Sequence, residues 1–188
     1  MKILILDNYD SFTYNLARIV IESGFPETDI FRNDKIKLEE VERYDKIILS
    51  PGPGIPKESG ILLPLIKHFY QKKSILGICL GHQAIAEAFG GNLINLKNVF
   101  HGIETPINIV AGDYLFDTIP REIEVGRYHS WIVDRVGFPE ELKITALDKD
   151  GYVMALKHRD YDIHGLQFHL ESIMTPYGKE IIYRFLTH

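Results

Sequence analysis

Three short stretches of the chain are apolar without alternation: Lys2–Leu6, Lys46–Ser50 and Ser74–Cys79. Unbroken Ile/Leu runs of this length predict strands buried on both faces of a parallel sheet. Helical patterns separate them. Phe12, Leu16, Ile19 and Val20 recur at helical spacing until Gly24 ends the pattern, and Ser59 to Lys72 carries Leu62, Leu65, Ile66 and Phe69, with Pro64 near its first turn. His82 to Phe89 reads as a third helix, stopped by Gly90-Gly91. Alternating strands and helices predict a parallel sheet with right-handed crossovers. The second half differs. Leu93–Leu96, Ile107–Val110, Ile144–Leu147, Tyr152–Leu156 and Ile163–Phe168 read as short strands divided by turns such as Asp150-Gly151, with antiparallel hairpins at the sheet edge, before a closing helix over Pro176 to Leu186. No repeat, low-complexity tract or linker interrupts the chain, so one domain over residues 1–188 is expected.

Composition narrows the partners. With 21 basic and 26 acidic side chains, a net charge of -5 leaves no electrostatic footprint for nucleic acid or an anionic membrane. No apolar run reaches the ~18–20 residues of a membrane-spanning helix, and Asp7 interrupts the N-terminal run before it could form a signal-peptide core. The single cysteine, Cys79, permits neither an internal disulfide nor a thiolate zinc cluster. A lone thiol suits a reducing compartment, and a cytoplasmic location is expected.

That cysteine sits in Gly77-Ile78-Cys79-Leu80-Gly81-His82-Gln83, between a buried strand and a helix. This is a nucleophile elbow with cysteine at its apex. Glycines on either side are required because the tight turn leaves no space for β-carbons. The helix N-terminus favours the reactive thiolate, and the Leu80 amide would point at the oxyanion of a tetrahedral intermediate. A buried, inert cysteine at a strand end fits the elbow alone equally well. Gln167-Phe168-His169-Leu170-Glu171-Ser172 supplies what a nucleophile needs: His169 as base and Glu171, two residues on and expected on the same face of the strand end, to orient it. Ser50-Pro51-Gly52-Pro53-Gly54 follows the second buried strand. It lacks the Gly-Lys-Ser/Thr of a phosphate loop, and Gly52 fits better as a second oxyanion donor, although a plain turn is also compatible. Together the three segments point to cysteine-based acyl transfer.

These segments resemble the class I, or triad, glutamine amidotransferases. Asp7 through Leu16 is similar to the glutaminase subunit (component II) of anthranilate synthase and aminodeoxychorismate synthase, as are Leu49–Gly54, His101-Gly102, Arg127-Tyr128-His129-Ser130 and Gly178-Lys179-Glu180. The resemblance covers essentially the whole chain. It implies a flavodoxin-like α/β fold, a mostly parallel central sheet flanked by helices with a small antiparallel edge. It further implies a catalytic triad of Cys79, His169 and Glu171 passing through a γ-glutamyl thioester. Gly52 and Leu80 would serve the oxyanion, Gly54 the pocket shape, and Gln83, Ser130 and Trp131 the substrate L-glutamine. Ammonia would pass to a chorismate-using component I partner, that of anthranilate synthase for tryptophan or, alternatively, of aminodeoxychorismate synthase for folate. The resemblance implies no cofactor or metal in this chain, the magnesium of the family belonging to the synthase partner. Two positions depart from the pattern: Leu170 stands where proline is usual, and Trp131 where leucine is.

Other classes fit parts of the same sequence. A free-standing cysteine γ-glutamyl hydrolase would need the same triad, and an inactive binding homologue would keep only the fold. Eight histidines invite a metal reading, but their spacing forms no tight zinc motif; His82 is expected to pack under the elbow, and His101 and His129 to be structural or interfacial. Asp10 and Ser11 are expected to start the first helix at the mouth of the site. Tyr9 and Phe12 could equally be core residues, and Lys35–Glu40 reads as a solvated loop or helix surface.

Overall fold

The computed structural model describes residues 1–188. Strands β1 (Ile3–Asp7), β2 (Thr28–Arg32), β3 (Lys46–Leu49) and β4 (Ser74–Ile78) alternate with helices α1 (Thr13–Glu22), α2 (Leu38–Val41) and α3 (Leu62–Phe69), and α4 (Leu80–Ala88) follows β4. The second half contributes β5 (Leu93–Asn95), β6 (Ile103–Ile109), β7 (Glu122–Arg127), β8 (Trp131–Val133), β9 (Leu142–Asp148), β10 (Val153–His158) and β11 (Ile163–Leu166), and α5 (Gly178–Thr187) closes the chain. Nine strands form one sheet in the order β2-β1-β3-β4-β11-β10-β9-β6-β7, and β5 pairs with β8 in a separate ribbon. Strands β2 through β11 in that order are parallel, and β10, β9, β6 and β7 add on antiparallel. The parallel part has the flavodoxin-like order, whose chain reversal lies between β1 and β3.

The apolar runs are continuous because both faces are covered. Ile3 and Ile5 pack with α1 and α5 through Leu16, Val20, Ile181 and Phe185, whereas Leu4 and Leu6 face α3 and α4 through Leu65, Phe69, Ala84 and Ile85. In β3, Ile48 joins the first layer and Ile47 and Leu49 the second. Lys46 opens that strand, and its buried ammonium donates to the Phe185 carbonyl at 2.8 Å, satisfying the end of α5.

Several elements differ from the expected ones. β2 and β7 escape an apolar pattern because both are sheet edges: Thr28–Arg32 has no fully buried residue, and only Ile123, Val125, Gly126 and Arg127 of β7 are buried. The 59–72 helix is shorter, preceded by a single 3-10 turn at Pro56–Glu58. Asp10 and Ser11 do not cap α1; the Asp7 carboxylate accepts from the amides of Tyr9 and Asp10 and from the Thr13 hydroxyl, while Asp10 accepts from the Phe12 amide. Tyr9 and Phe12 are not core residues but are 47% and 40% exposed.

At the N-terminal end of β11, buried His164 is held between two carboxylates, Nδ1 to Asp113 at 3.0 Å and Nε2 to Asp162 at 2.9 Å. Burial opposes its charge, but the two carboxylates outweigh burial and raise its pKa. Because the folded value lies above the unfolded ~6.5, this stabilisation is complete below that pH and is lost as pH rises through the folded value. His164→Gln, which strands Asp113 in the interior, is expected to cost about 3 kcal/mol in the acidic range. Urea unfolding across pH should show the gap from the parent narrowing as pH rises; a gap independent of pH would mean that the ring is neutral.

Candidate active site

The elbow is built by close packing. A β-carbon on Gly77 would come within 2.5 Å of the Gly81 backbone, and one on Gly81 within 2.7 Å of the Leu49 carbonyl. The two glycines thus let α4 start directly over β4 and against β3. At the apex Cys79 has φ 51° and ψ -98°, a left-handed conformation that costs a non-glycine residue about 1–3 kcal/mol. It is held by the Cys79 amide donating to Leu166 of β11 at 2.8 Å and the Cys79 carbonyl accepting from Gln83 at 3.1 Å. Leu80 is the first residue of α4, so its amide has no intrahelical acceptor and remains available at the helix N-terminus.

His169 and Glu171 lie beyond the end of β11 at Leu166, so their meeting does not come from strand alternation as expected. A turn makes it, with His169 Nδ1 2.6 Å from Glu171 Oε1. The turn is pinned on several sides. The His169 amide donates to Gly126 of β7 at 3.0 Å, and the Thr175 hydroxyl donates to the His169 carbonyl at 2.7 Å while accepting from the Gly126 amide. Leu170 is buried in the layer under α1 and α5, and α5 begins on Gly178 because any β-carbon there would overlap the Leu170 carbonyl. The residue without a proline ring is therefore anchored by packing. His169 Nε2 completes no hydrogen bond of its own; its neighbour on that side is the Cys79 sulfur. Burial presses the imidazolium down, but Cys79 and Glu171 outweigh it and push His169 up to about 10. The rings of Tyr128 and Phe12 stand 4.8 and 6.5 Å from the imidazole, screening it from water.

The Gly52–Gly54 loop enters from the end of β3. Asn8, at the end of β1, donates through its side chain to the Ser50 carbonyl at 2.8 Å and through its amide to Ser50 Oγ at 2.9 Å, and Asn33 donates to Asn8 Oδ1. Gly52 lies so close to Asn8 that a β-carbon would overlap its carbonyl, and Gly54 has φ 75°. Asn8 thus locks the loop at the chain-reversal point, where open α/β sheets bind ligands.

Gln83, Ser130 and Trp131 meet on the other side. Gln83 Nε2 donates to the Trp131 carbonyl at 2.9 Å and to Gln167 Oε1 at 3.3 Å, leaving Gln83 Oε1 as the atom that can accept from a substrate. The Trp131 carbonyl also meets His129 Nδ1 at 3.0 Å, and the Ser130 carbonyl accepts from Leu96, so these two carbonyls are engaged by protein groups. His82 packs under the elbow, fully buried against Gly165 and pushed down to about 4 by burial, hence neutral. Sequence reasoning assigned no role to Asn8 or to Gln167, which donates to Cys79 Sγ at 3.7 Å. The signal for Gln167 was its place at the end of a buried strand beside His169.

A strained, buried cysteine at a helix N-terminus, with a histidine and then a carboxylate behind it, has the residue types and order that cysteine-based acyl transfer requires. Comparison with known proteins agrees: the family model for glutamine amidotransferase class-I matches residues 4–188. The chain belongs to the class-I glutamine amidotransferases, and it is such an enzyme. It is 44% identical over 186 residues to the aminodeoxychorismate/anthranilate synthase component 2 of Bacillus subtilis, covering 98% of this chain and 95% of that one. It is 43% identical over 188 residues to the bifunctional protein TrpGD of Thermotoga maritima, covering 98% of this chain but only 32% of that longer protein. The solved structure of a glutamine amidotransferase from Thermotoga maritima superposes with TM-score 0.79 at 16% identity, covering 99% of this chain and 96% of that one, which shows the shared fold.

The electrostatics of the turn are open to direct measurement. The ring resonance of His169 should titrate near pH 10, and Glu171→Gln, which removes one of the two groups holding the proton, should move that titration down. A parent titration at the ordinary ~6.5 would show that His169 is not paired with the Cys79 sulfur.

Proposed function

We propose that this chain is the glutamine-hydrolysing component II of a chorismate-using synthase, with anthranilate synthase, and so tryptophan synthesis, the preferred pathway and aminodeoxychorismate synthase the alternative. The observation that carries the reading is Cys79, raised on a left-handed elbow, beside a His169 whose Nδ1 lies 2.6 Å from Glu171. The relatives' names support the subunit assignment.

In this mechanism the Cys79 thiolate attacks the side-chain carbonyl carbon of L-glutamine, forming a C–S bond. The oxyanion is met by the amides of Leu80 and Gly52. The tetrahedral intermediate collapses as the C–N bond breaks and His169 gives its proton to the departing ammonia. The neutral imidazole then takes a proton from water, whose oxygen attacks the γ-glutamyl thioester. Collapse releases glutamate and restores the thiolate and imidazolium. Glu171 keeps Nδ1 protonated and the ring oriented throughout. Gln83, with the backbone around Ser130 and Trp131, holds the glutamine, and Gly54 permits the turn that shapes the pocket. The ammonia passes to component I, where it aminates chorismate.

Glutamate release from glutamine, measured for the chain alone and with each chorismate-using synthase of its source organism, tests the reading. Stimulation by one synthase names the pathway, and stimulation by both means a shared subunit. Cys79→Ser should abolish glutamine use while leaving the complex active with free ammonia. Loss of both activities would mean that Cys79 is structural, and full activity of the isolated chain would overturn the coupling to a synthase.

A further inference from the structure

Arg127 is the largest fully buried side chain, and the mechanism above gives it no part. Its Nη1 donates to Asp148 of β9 at 2.6 Å, its Nε donates to His129 Nε2 at 3.1 Å, and its guanidinium lies 3.6 Å over the Phe100 ring. Nη2 has no hydrogen-bond partner. A buried ion pair with an unused donor adds little net stability compared with apolar side chains of the same volume. What it supplies is direction.

That direction can be followed atom by atom. Arg127 Nε–H can only donate, so His129 Nε2 must accept, which places the ring proton on Nδ1. Burial and then the charge of Arg127 push His129 down to about 3, so the ring is neutral and this one tautomer is fixed. Nδ1–H therefore donates to the Trp131 carbonyl. The same carbonyl accepts from Gln83 Nε2, which fixes the orientation of the Gln83 amide. Gln83 Nε2 also donates to Gln167 Oε1, which turns the Gln167 NH2 toward Cys79 Sγ. With the opposite amide orientation, the carbonyl oxygen of Gln167 would face the sulfur and oppose a thiolate.

We propose that Asp148, Arg127, His129, the Trp131 carbonyl, Gln83 and Gln167 form one buried hydrogen-bonded string that holds the Gln167 amide as a donor on the Cys79 sulfur. Gln167 is then a catalytic residue touching the reacting atom, and Arg127 with Asp148 are positioning residues acting through His129. The inference rests on Cys79 being the nucleophile. It adds a donor on the sulfur itself, distinct from the oxyanion amides, and assigns the antiparallel strands a share in the chemistry.

Because Cys79 is the only cysteine, its alkylation by iodoacetamide and the ultraviolet absorbance of its thiolate report on the sulfur without interference. Both are measured on the full chain, alongside kcat and KM for glutamine in the synthase complex. Gln167→Met keeps the volume and removes the donor. It is expected to lower alkylation and kcat about tenfold, the effect of one hydrogen bond to a charged group, with a smaller change in KM. His129→Leu should do the same. His129→Asn, whose amide nitrogen can replace Nδ1 as donor to the Trp131 carbonyl, should recover most of the loss. Arg127→Lys, which keeps the charge but not the forked geometry, should fall between them. A structural role alone would lower the unfolding temperature without changing alkylation of the folded protein. Parental alkylation and kcat in folded Gln167→Met, or equal defects in His129→Asn and His129→Leu, would overturn the string. If Cys79→Ser still consumed glutamine, the nucleophile assignment itself would fail first.

Discussion

Everything at this site depends on a backbone that one residue would not adopt by itself. Cys79 sits at φ 51° because β4 must turn into α4 within a single residue, and that turn exists only because Gly77, Gly81 and Leu49 are in backbone contact. The cost of the left-handed residue, about 1–3 kcal/mol, is offset by the two cores on either side of the sheet. Leu76 and Ile78 bury under α1 and α5, while Ile75 buries beneath α3 and α4. The sulfur is thereby raised at the carboxyl end of the sheet with α4 pointing its N-terminus at it. A more relaxed elbow would lower the sulfur toward the strand and separate it from His169.

The parts of this arrangement legible in the sequence were those written in contiguous residues. The buried runs of β1, β3 and β4 and the glycines of the elbow announce themselves because burial on both faces and a turn without β-carbons leave few residue choices. His169 and Glu171 were legible as a pair, but the geometry joining them was not: the turn is made by Thr175, Gly126 and Gly178, none adjacent to the pair in sequence. Arg127 was visible only as part of the Arg127–Ser130 motif, and nothing in the sequence drew attention to Asp148, since isolated charged residues usually lie at the surface. Only the tertiary structure, which buries the two together with the Arg127 guanidinium over the Phe100 ring, reveals the pair.

Four histidines show how far environment overrides residue type. His82 and His129 are both pressed toward the neutral form by burial, and His129 further by the neighbouring guanidinium. His164 and His169 are as deeply buried, yet both hold a proton because each has carboxylate partners, and His169 the sulfur as well. The two rings lie at opposite ends of β11, His164 as its second residue and His169 just past its end. The same strand is thus tied at its base by the Asp113–His164–Asp162 pairing and leads at its other end to the histidine proposed for proton transfer.

The antiparallel strands then have a clear purpose in the architecture. A flavodoxin-like sheet ending at β11 would supply the elbow and the Asn8-locked loop, but nothing to hold the chain after Leu166. β7 provides the Gly126 carbonyl that takes the His169 amide, and Gly126 must lack a side chain because a β-carbon there would come within 2.8 Å of Ser172 Oγ and 3.1 Å of Met174 Cβ. The next residues of the same segment, Arg127, His129 and Trp131, orient Gln83 and Gln167. His169 and the donor on the sulfur are therefore positioned by one stretch of chain, from Gly126 to Trp131, so a displacement of that stretch would disturb His169 and the surroundings of Cys79 together. Under the proposed coupling to an acceptor subunit, a single small movement there would shift both at once.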